Sequence, residues 1–299
     1  MRSRLLLVVV LVLALGGGGF FWWKGREGHL GKAAYELTAR IVEKGPRPPE
    51  SEALRAVREL VKTELEKSGW VTQAQPFERI TPGGNMKFEN LRARFSTGSG
   101  DPWQRPVKVL LCAHIDSKLF KDKHFVGADD AASACAAVVE IAKTLSKDDA
   151  GRVELVFFDG EESIGDSITP QDGLYGSRFY ANYWRTRNDK PAHGILLDIV
   201  GHKDLSIKLS SDTPAELKEL VMSSAKEENA ERHFGMAMGP IIDDHVPLNF
   251  AGIPTVDLIG DFTRGGWWHT PGDNMKIISA DSLDISMRVA IRVLGKMLK

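Results

Sequence analysis

The spacing of apolar positions changes several times along this chain, and each change marks an element. Residues 25–45 and 52–69 carry apolar side chains at helical intervals, and Leu54, Val57, Leu60, Val61 and Leu65 share one helix face. The segment PRPPES separates the two helices. Strands are expected near residues 71–77 and 88–95, on either side of the turn sequence TPGGN. Beyond them, short greasy runs alternate with helical patterns. PVKVLLCAH, RVELVFFD, GILLDIV, SIKLSS and IPTVDLI read as strands. The helices read as DAASACAAVVEIAKTL, LYGSRFYANYWR, PAELKELVMSSAKEE and SADSLDISMRVAIRVLGKML.

Strands that are apolar on both faces and alternate with helices imply a parallel-rich sheet covered on both sides. The expectation is one α/β domain over residues 27–299, with a central, mostly parallel mixed sheet between helices. In such sheets ligands sit beyond the carboxyl ends of the strands, so those ends are where chemistry is sought.

Composition adds little except at the N-terminus. The 299 residues have 42% hydrophobic and 26% charged content and a formal net charge of −1, so no basic surface argues for nucleic acid. Residues 5–23 hold no charged residue and would span roughly 28 Å as a helix at about 1.5 Å per residue, enough for a bilayer core. Phe20, Phe21, Trp22 and Trp23 suit a membrane interface, and Arg2 and Arg4 favour a cytoplasmic N-terminus. Residues 1–26 are therefore expected to be a membrane anchor or a cleaved signal segment. The body would then be extracytoplasmic, in a periplasm or secretory lumen, or secreted after cleavage.

The strand ends concentrate polar residues. They carry His114 and Asp116, Asp129 and Asp130, Glu161 and Glu162, Asp198, Asp243 with Asp244 and His245, and Trp268 with His269. Each has an ordinary explanation alone: Asp129 or Asp130 as a helix cap, His269 as a solvated loop histidine, His114 as a core histidine. Asp198, inside ILLDIV, needs a partner or a proton. Gathered on one sheet edge, these groups would repel one another and lose solvation without a cation. Carboxylate and imidazole donors without thiolate suit a hard or borderline metal, and a three-ligand site with an open position suits catalytic zinc. One glutamate of FFDGEES can then bind metal while the other handles protons, Gly160 allowing the turn that separates them.

The segments HIDSK, FVGADD, FFDGEES, PQDGLYGSRFYA, LLDIVG, DDHVPLNFAGIPTVDLI and WWHT, in that order, resemble the zinc-dependent, animal-like glutaminyl cyclases, relatives of the two-zinc aminopeptidases. The resemblance implies the aminopeptidase-like α/β fold and one zinc per chain on Asp130, Glu162 and His269. It implies Glu161 as proton shuttle, Asp198 and Asp243 as an acidic network beside it, and Trp268 in the substrate pocket. The implied reaction converts the N-terminal glutamine of peptides or proteins to pyroglutamate and releases ammonia. Ile168 stands where the animal enzymes have a pocket tryptophan, and Ile242 where they often have glutamine. The loop after Glu162 is one residue longer, so substrate preference is expected to differ. The same donors admit two other readings. With His114 and Asp198 completing a second zinc site and Asp130 bridging, the chain would be an aminopeptidase. The last alternative is a non-catalytic zinc-binding relative. The family's disulfide is left open: Cys135 fits, while Cys112 is one residue out of register, which on a strand faces it the other way.

Overall fold

The structure is a computed structural model that describes residues 29–98 and 100–299. The candidate anchor at residues 5–23 lies outside the described residues. Among those described, no helix is long and apolar enough to cross a membrane.

Eight strands form one mixed sheet. They are β1 (Trp70–Thr81), β2 (Gly84–Phe95), β3 (Val109–His114), β4 (Val153–Phe158), β5 (His193–Asp198), β6 (Ile207–Leu209), β7 (Phe234–Met236) and β8 (Thr255–Gly260), in spatial order β1-β2-β4-β3-β5-β8-β6-β7. The centre is parallel, β4 with β3, β3 with β5 and β5 with β8. The β1–β2 hairpin joins it antiparallel through β4, and β6 runs antiparallel to β8. The hairpin is longer than its sequence pattern predicts, because Thr81 pairs with Gly84 and carries the ladder to the turn. Only a few of its side chains are buried, so hydrophobic pattern alone underestimates its length.

Side chains of the central strands alternate between two cores. Val109, Leu111 and Ala113 join one core with Leu155, Phe157, Ile195 and Leu197. Leu110, Cys112, Val156, Phe158 and Leu196 face the other. The first core is roofed by helices α1 (His29–Val42), α2 (Glu52–Glu66), α3 (Ala134–Thr144), α6 (Ala215–Glu227) and α8 (Ala280–Met297). The second is covered by α5 (Tyr175–Trp184) and the short α7 (His245–Phe250), while α4 (Lys147–Ala150) is a single turn leading into β4. Burying each such Leu, Val or Phe side chain stabilises by about 1.5–3 kcal/mol. The two cysteines lie in different cores and both thiols are free, so the disulfide the resemblance left open is absent. The Cys135 Sγ instead donates to the carbonyl of His114 at 2.9 Å.

The parallel strands β3, β4, β5 and β8 all point the same way. Their carboxyl ends deliver His114, Phe158 with the loop to Glu162, Asp198 and Gly260 to one edge.

Candidate metal centre

Each acidic group at this edge is aimed by the backbone that carries it. After β4 the chain turns at Gly160, whose φ is +72° and whose missing Cβ would lie 2.5 Å from the Phe88 ring. Only glycine fits both constraints. Asp159, just before it, is fixed by the buried Arg58 of α2 and accepts the Glu89 N–H at 2.7 Å. The Asp116 carboxylate then accepts the N–H groups of Glu161 and Glu162 at 3.2 and 3.4 Å. With the backbone held from behind, both glutamate side chains project into the edge and are buried.

Asp130 sits in an irregular turn, Ala128–Ser133, that leads into α3, and its peptide to Ala131 is cis. It does not cap the helix. Asp273 accepts the N–H groups of Asp129 and Asp130 at 2.7 and 3.2 Å, and Asp129 in turn accepts the Gly201 N–H at 2.7 Å. The fully buried Arg47 donates to the carbonyls of Ile115, Val126, Gly127 and Asp130, tying the loops on either side of the site together. His269 has a left-handed φ of +54°, uncommon outside glycine. Its ring stacks on Trp268 with centroids 3.8 Å apart, and Phe120 and Phe125 meet it edge-on.

These supports bring the predicted residues together. His269 Nε2 lies 3.5 Å from Asp130 Oδ2 and 3.3 Å from Glu162 Oε1. His114 Nε2 lies 3.1 Å from Asp130 Oδ1 and 3.4 Å from Asp198 Oδ1. Two groups of three thus have donor atoms all within 4.8 Å of one another: Asp130, Glu162 and His269, and His114, Asp130 and Asp198. Glu161, Asp198, Asp243, Ile168, Ile242, Trp268 and the three residues of the first group line one cavity of about 320 Å³.

Electrostatics explains why this arrangement calls for a cation. Burial pushes the Glu161 carboxyl well above the usual carboxylate range; His114 opposes this, and Glu162, Asp243 and Asp244 reinforce it. Burial likewise raises Asp198 to about 8. Asp130 goes the other way despite its burial, held low by His114 and His269. His269 is raised to about 9, burial being outweighed by Asp130 and Glu162. Meanwhile Glu162 Oε1, Asp198 Oδ1 and both ring nitrogens of His114 are buried without a hydrogen bond, close to partners but not aligned with them. Unpaired buried polar atoms are rare and costly. Ligand-like crowding with unmet valence, from oxygen and imidazole donors only, fits zinc.

The lysine of HIDSK, which the resemblance marked as typical of the cyclases, reaches the site, whereas Asp257 and Arg47 escaped the sequence reading. Lys118 donates to the Ser163 carbonyl at 2.8 Å and to its hydroxyl at 2.7 Å, and lies 3.6 Å from Glu162 Oε2. Asp257, buried in β8, stands with His245 and Asp243 in a third close group behind the cavity. Its position within the apolar run PTVDLI was a signal of the same kind as Asp198 in ILLDIV. Arg47 left none, since its partners are backbone carbonyls.

Residues 91–294 match peptidase family M28. The chain is 30% identical over 290 residues to the glutaminyl-peptide cyclotransferase of Bos taurus, a match covering 83% of this chain and 77% of that one. Among solved structures it is similar to a glutaminyl cyclase of an Acidobacteriales bacterium, with TM-score 0.78, 26% identity and coverage of 89% and 94%. It is also similar to a Zn-dependent exopeptidase of Parabacteroides distasonis, with TM-score 0.76, 27% identity and coverage of 88% and 97%.

Proposed function

The chain belongs to peptidase family M28, alongside the glutaminyl-peptide cyclotransferases, and from that premise we infer that it is itself a zinc-dependent glutaminyl-peptide cyclotransferase. It acts on peptides or proteins that begin with glutamine. The observation that carries the chemistry is Glu161. It is buried in the cavity beside Glu162, yet belongs to neither group of close metal donors that contains Asp130.

We propose that Asp130, Glu162 and His269 hold one zinc per chain. When bound, zinc supplies Lewis acidity toward the side-chain amide of the substrate. The substrate's own α-amine forms the new C–N bond, and the departing group is ammonia, so no water enters the balance. Glu161 takes the proton released by the α-ammonium group and returns it to the leaving nitrogen. Burial first, then Glu162, Asp243 and Asp244, favour a proton on that carboxylate, and Asp198 completes the acidic network lining the same cavity. Trp268, Ile168 and Ile242 wall the cavity in which the glutamine side chain would sit. Isoleucine at both pocket positions makes this wall aliphatic and offers no side-chain hydrogen bond to the substrate.

The test is a product assay on a glutaminyl peptide and a leucyl peptide. Ammonia release with the peptide bonds intact is expected from the first, and no cleavage of the second. Free amino acid without pyroglutamyl product would sink the reading. The second donor group, His114, Asp130 and Asp198, favours the aminopeptidase alternative, which requires two zincs per chain. Residues 5–23 are proposed as an anchor that places the catalytic body outside the cytoplasm. N-terminal sequencing of the mature protein checks this, and a start beyond Trp23 would exclude it.

A further inference from the structure

A groove of about 670 Å³ runs between α5 and α7 and shares two walls, Ile168 and Ile242, with the catalytic cavity. The two spaces have opposite character. Asp130, Glu161, Glu162, Asp166, Asp198 and Asp243 line the cavity, whereas no acidic residue lines the groove. Instead it holds apolar surface from Leu174, Ala181, Val246 and Phe250, and the guanidinium groups of Arg178 and Arg185. Phe250 is 87% exposed, so its ring is open to a ligand lying in the groove. The two arginines differ in occupation. Arg178 donates to the Thr169 and Pro170 carbonyls at 2.8 and 2.5 Å and so shapes the rim. The exposed Arg185 has no side-chain hydrogen bond or ion pair among the described residues.

We propose that this groove is the subsite for the substrate residues that follow the N-terminal glutamine, and that it selects apolar and acidic side chains there. The proposal rests on the cyclotransferase reading. A peptide presents its ammonium at one end, which the acidic cavity attracts, and any downstream carboxylate would meet Arg185. The shared isoleucines, Ile168 and Ile242, put the groove directly beside the cavity. An extended chain advances about 3.3–3.6 Å per residue, so a few residues suffice to enter the groove. Phe250 then supplies apolar contact, and Arg185 a screened attraction worth a few-fold in rate constant.

The experiment compares kcat/KM, followed by ammonia release, for a glutaminyl dipeptide amide and two sets of glutaminyl pentapeptides. Each set has leucine second; one scans aspartate and the other lysine through positions three to five. For the wild type, at least one aspartate peptide is expected to exceed its lysine counterpart by about threefold or more, the scale of an exposed ion pair. R185E should erase or reverse that ratio, and F250A should lower turnover of the leucine-containing pentapeptides. Both variants should process the dipeptide amide at the wild-type rate. Equal aspartate and lysine rates at every position, unaltered by R185E, would overturn the groove while leaving the cyclotransferase reading intact. No turnover of the dipeptide amide by the wild type would overturn the underlying reading, and the groove with it. Phe250-dependent self-association in sedimentation with unchanged peptide preference would assign the groove to a second copy of the chain and reject the proposal.

Discussion

Single residues carry distinguishable duties here, and substitution can separate them. E161Q keeps the shape of the side chain but removes its proton traffic. Folding and zinc content should persist while kcat falls by about a hundredfold or more, read by steady-state kinetics and metal analysis. Unchanged turnover would remove Glu161 from the reaction. His114 and His269 offer the sharper contrast. If Asp130, Glu162 and His269 hold the metal, H269A should lose zinc on dialysis and H114A should retain one per chain; equal loss from both would favour the two-zinc alternative. Gly160 tests the scaffold. Alanine there meets the Phe88 ring and a left-handed φ, so G160A should lose about 1–3 kcal/mol in urea unfolding. Asp130, Glu162 and His269 were legible as a ligand set through the resemblance of FVGADD, FFDGEES and WWHT, each having an ordinary explanation alone; Asp198, inside ILLDIV, had few. Arg47 was not legible, because its partners lie 68 to 83 residues away and are carbonyl oxygens that any residue possesses.

Elements of the fold were legible in proportion to their burial. β3, β4, β5 and β8 are buried along nearly their whole length, and their apolar runs predicted them. The three-residue β7 and six-residue α7 are too short to display a period, so DDHVP read as a strand end rather than the start of a helix. Packing between elements also depends on charge. Glu64 of α2 pairs with Arg40 of α1 at 3.0 Å and with Lys143 of α3 at 3.1 Å, joining three helices. Despite a desolvation effect in the opposite direction, Lys67, Lys143 and Arg40 lower its carboxyl from 4.5 to about 2. The folded-state value is the depressed one, so this contribution is fully present above pH 4.5 and is lost as pH falls through about 2. Replacing Glu64 with glutamine should flatten the decline in stability across that window, measured by urea midpoints; an unaltered slope would exclude the cluster as its source.

At the scale of the whole molecule, the sheet edge is a region of concentrated negative charge that the fold assembles at some expense. A ligand that binds only the native state stabilises it by about 2.7 kcal/mol when present at a hundred times its dissociation constant. Stripping zinc with a chelator should therefore lower the calorimetric Tm, and re-adding zinc should restore it. A transition indifferent to the ion would mean that the native state does not bind it. Another consequence follows from the two sulfur atoms, which sit in separate cores on opposite sides of the sheet. Burial pushes the Cys135 thiol up to about 12 and the Cys112 thiol well above its ordinary value, leaving little thiolate at either position for oxidants to attack. Nothing covalent clamps the strands to the helices, so folding of the catalytic body should proceed equally well under reducing and oxidising conditions. Dithiothreitol, which dismantles many exported proteins of this size, should leave its melting curve where it was.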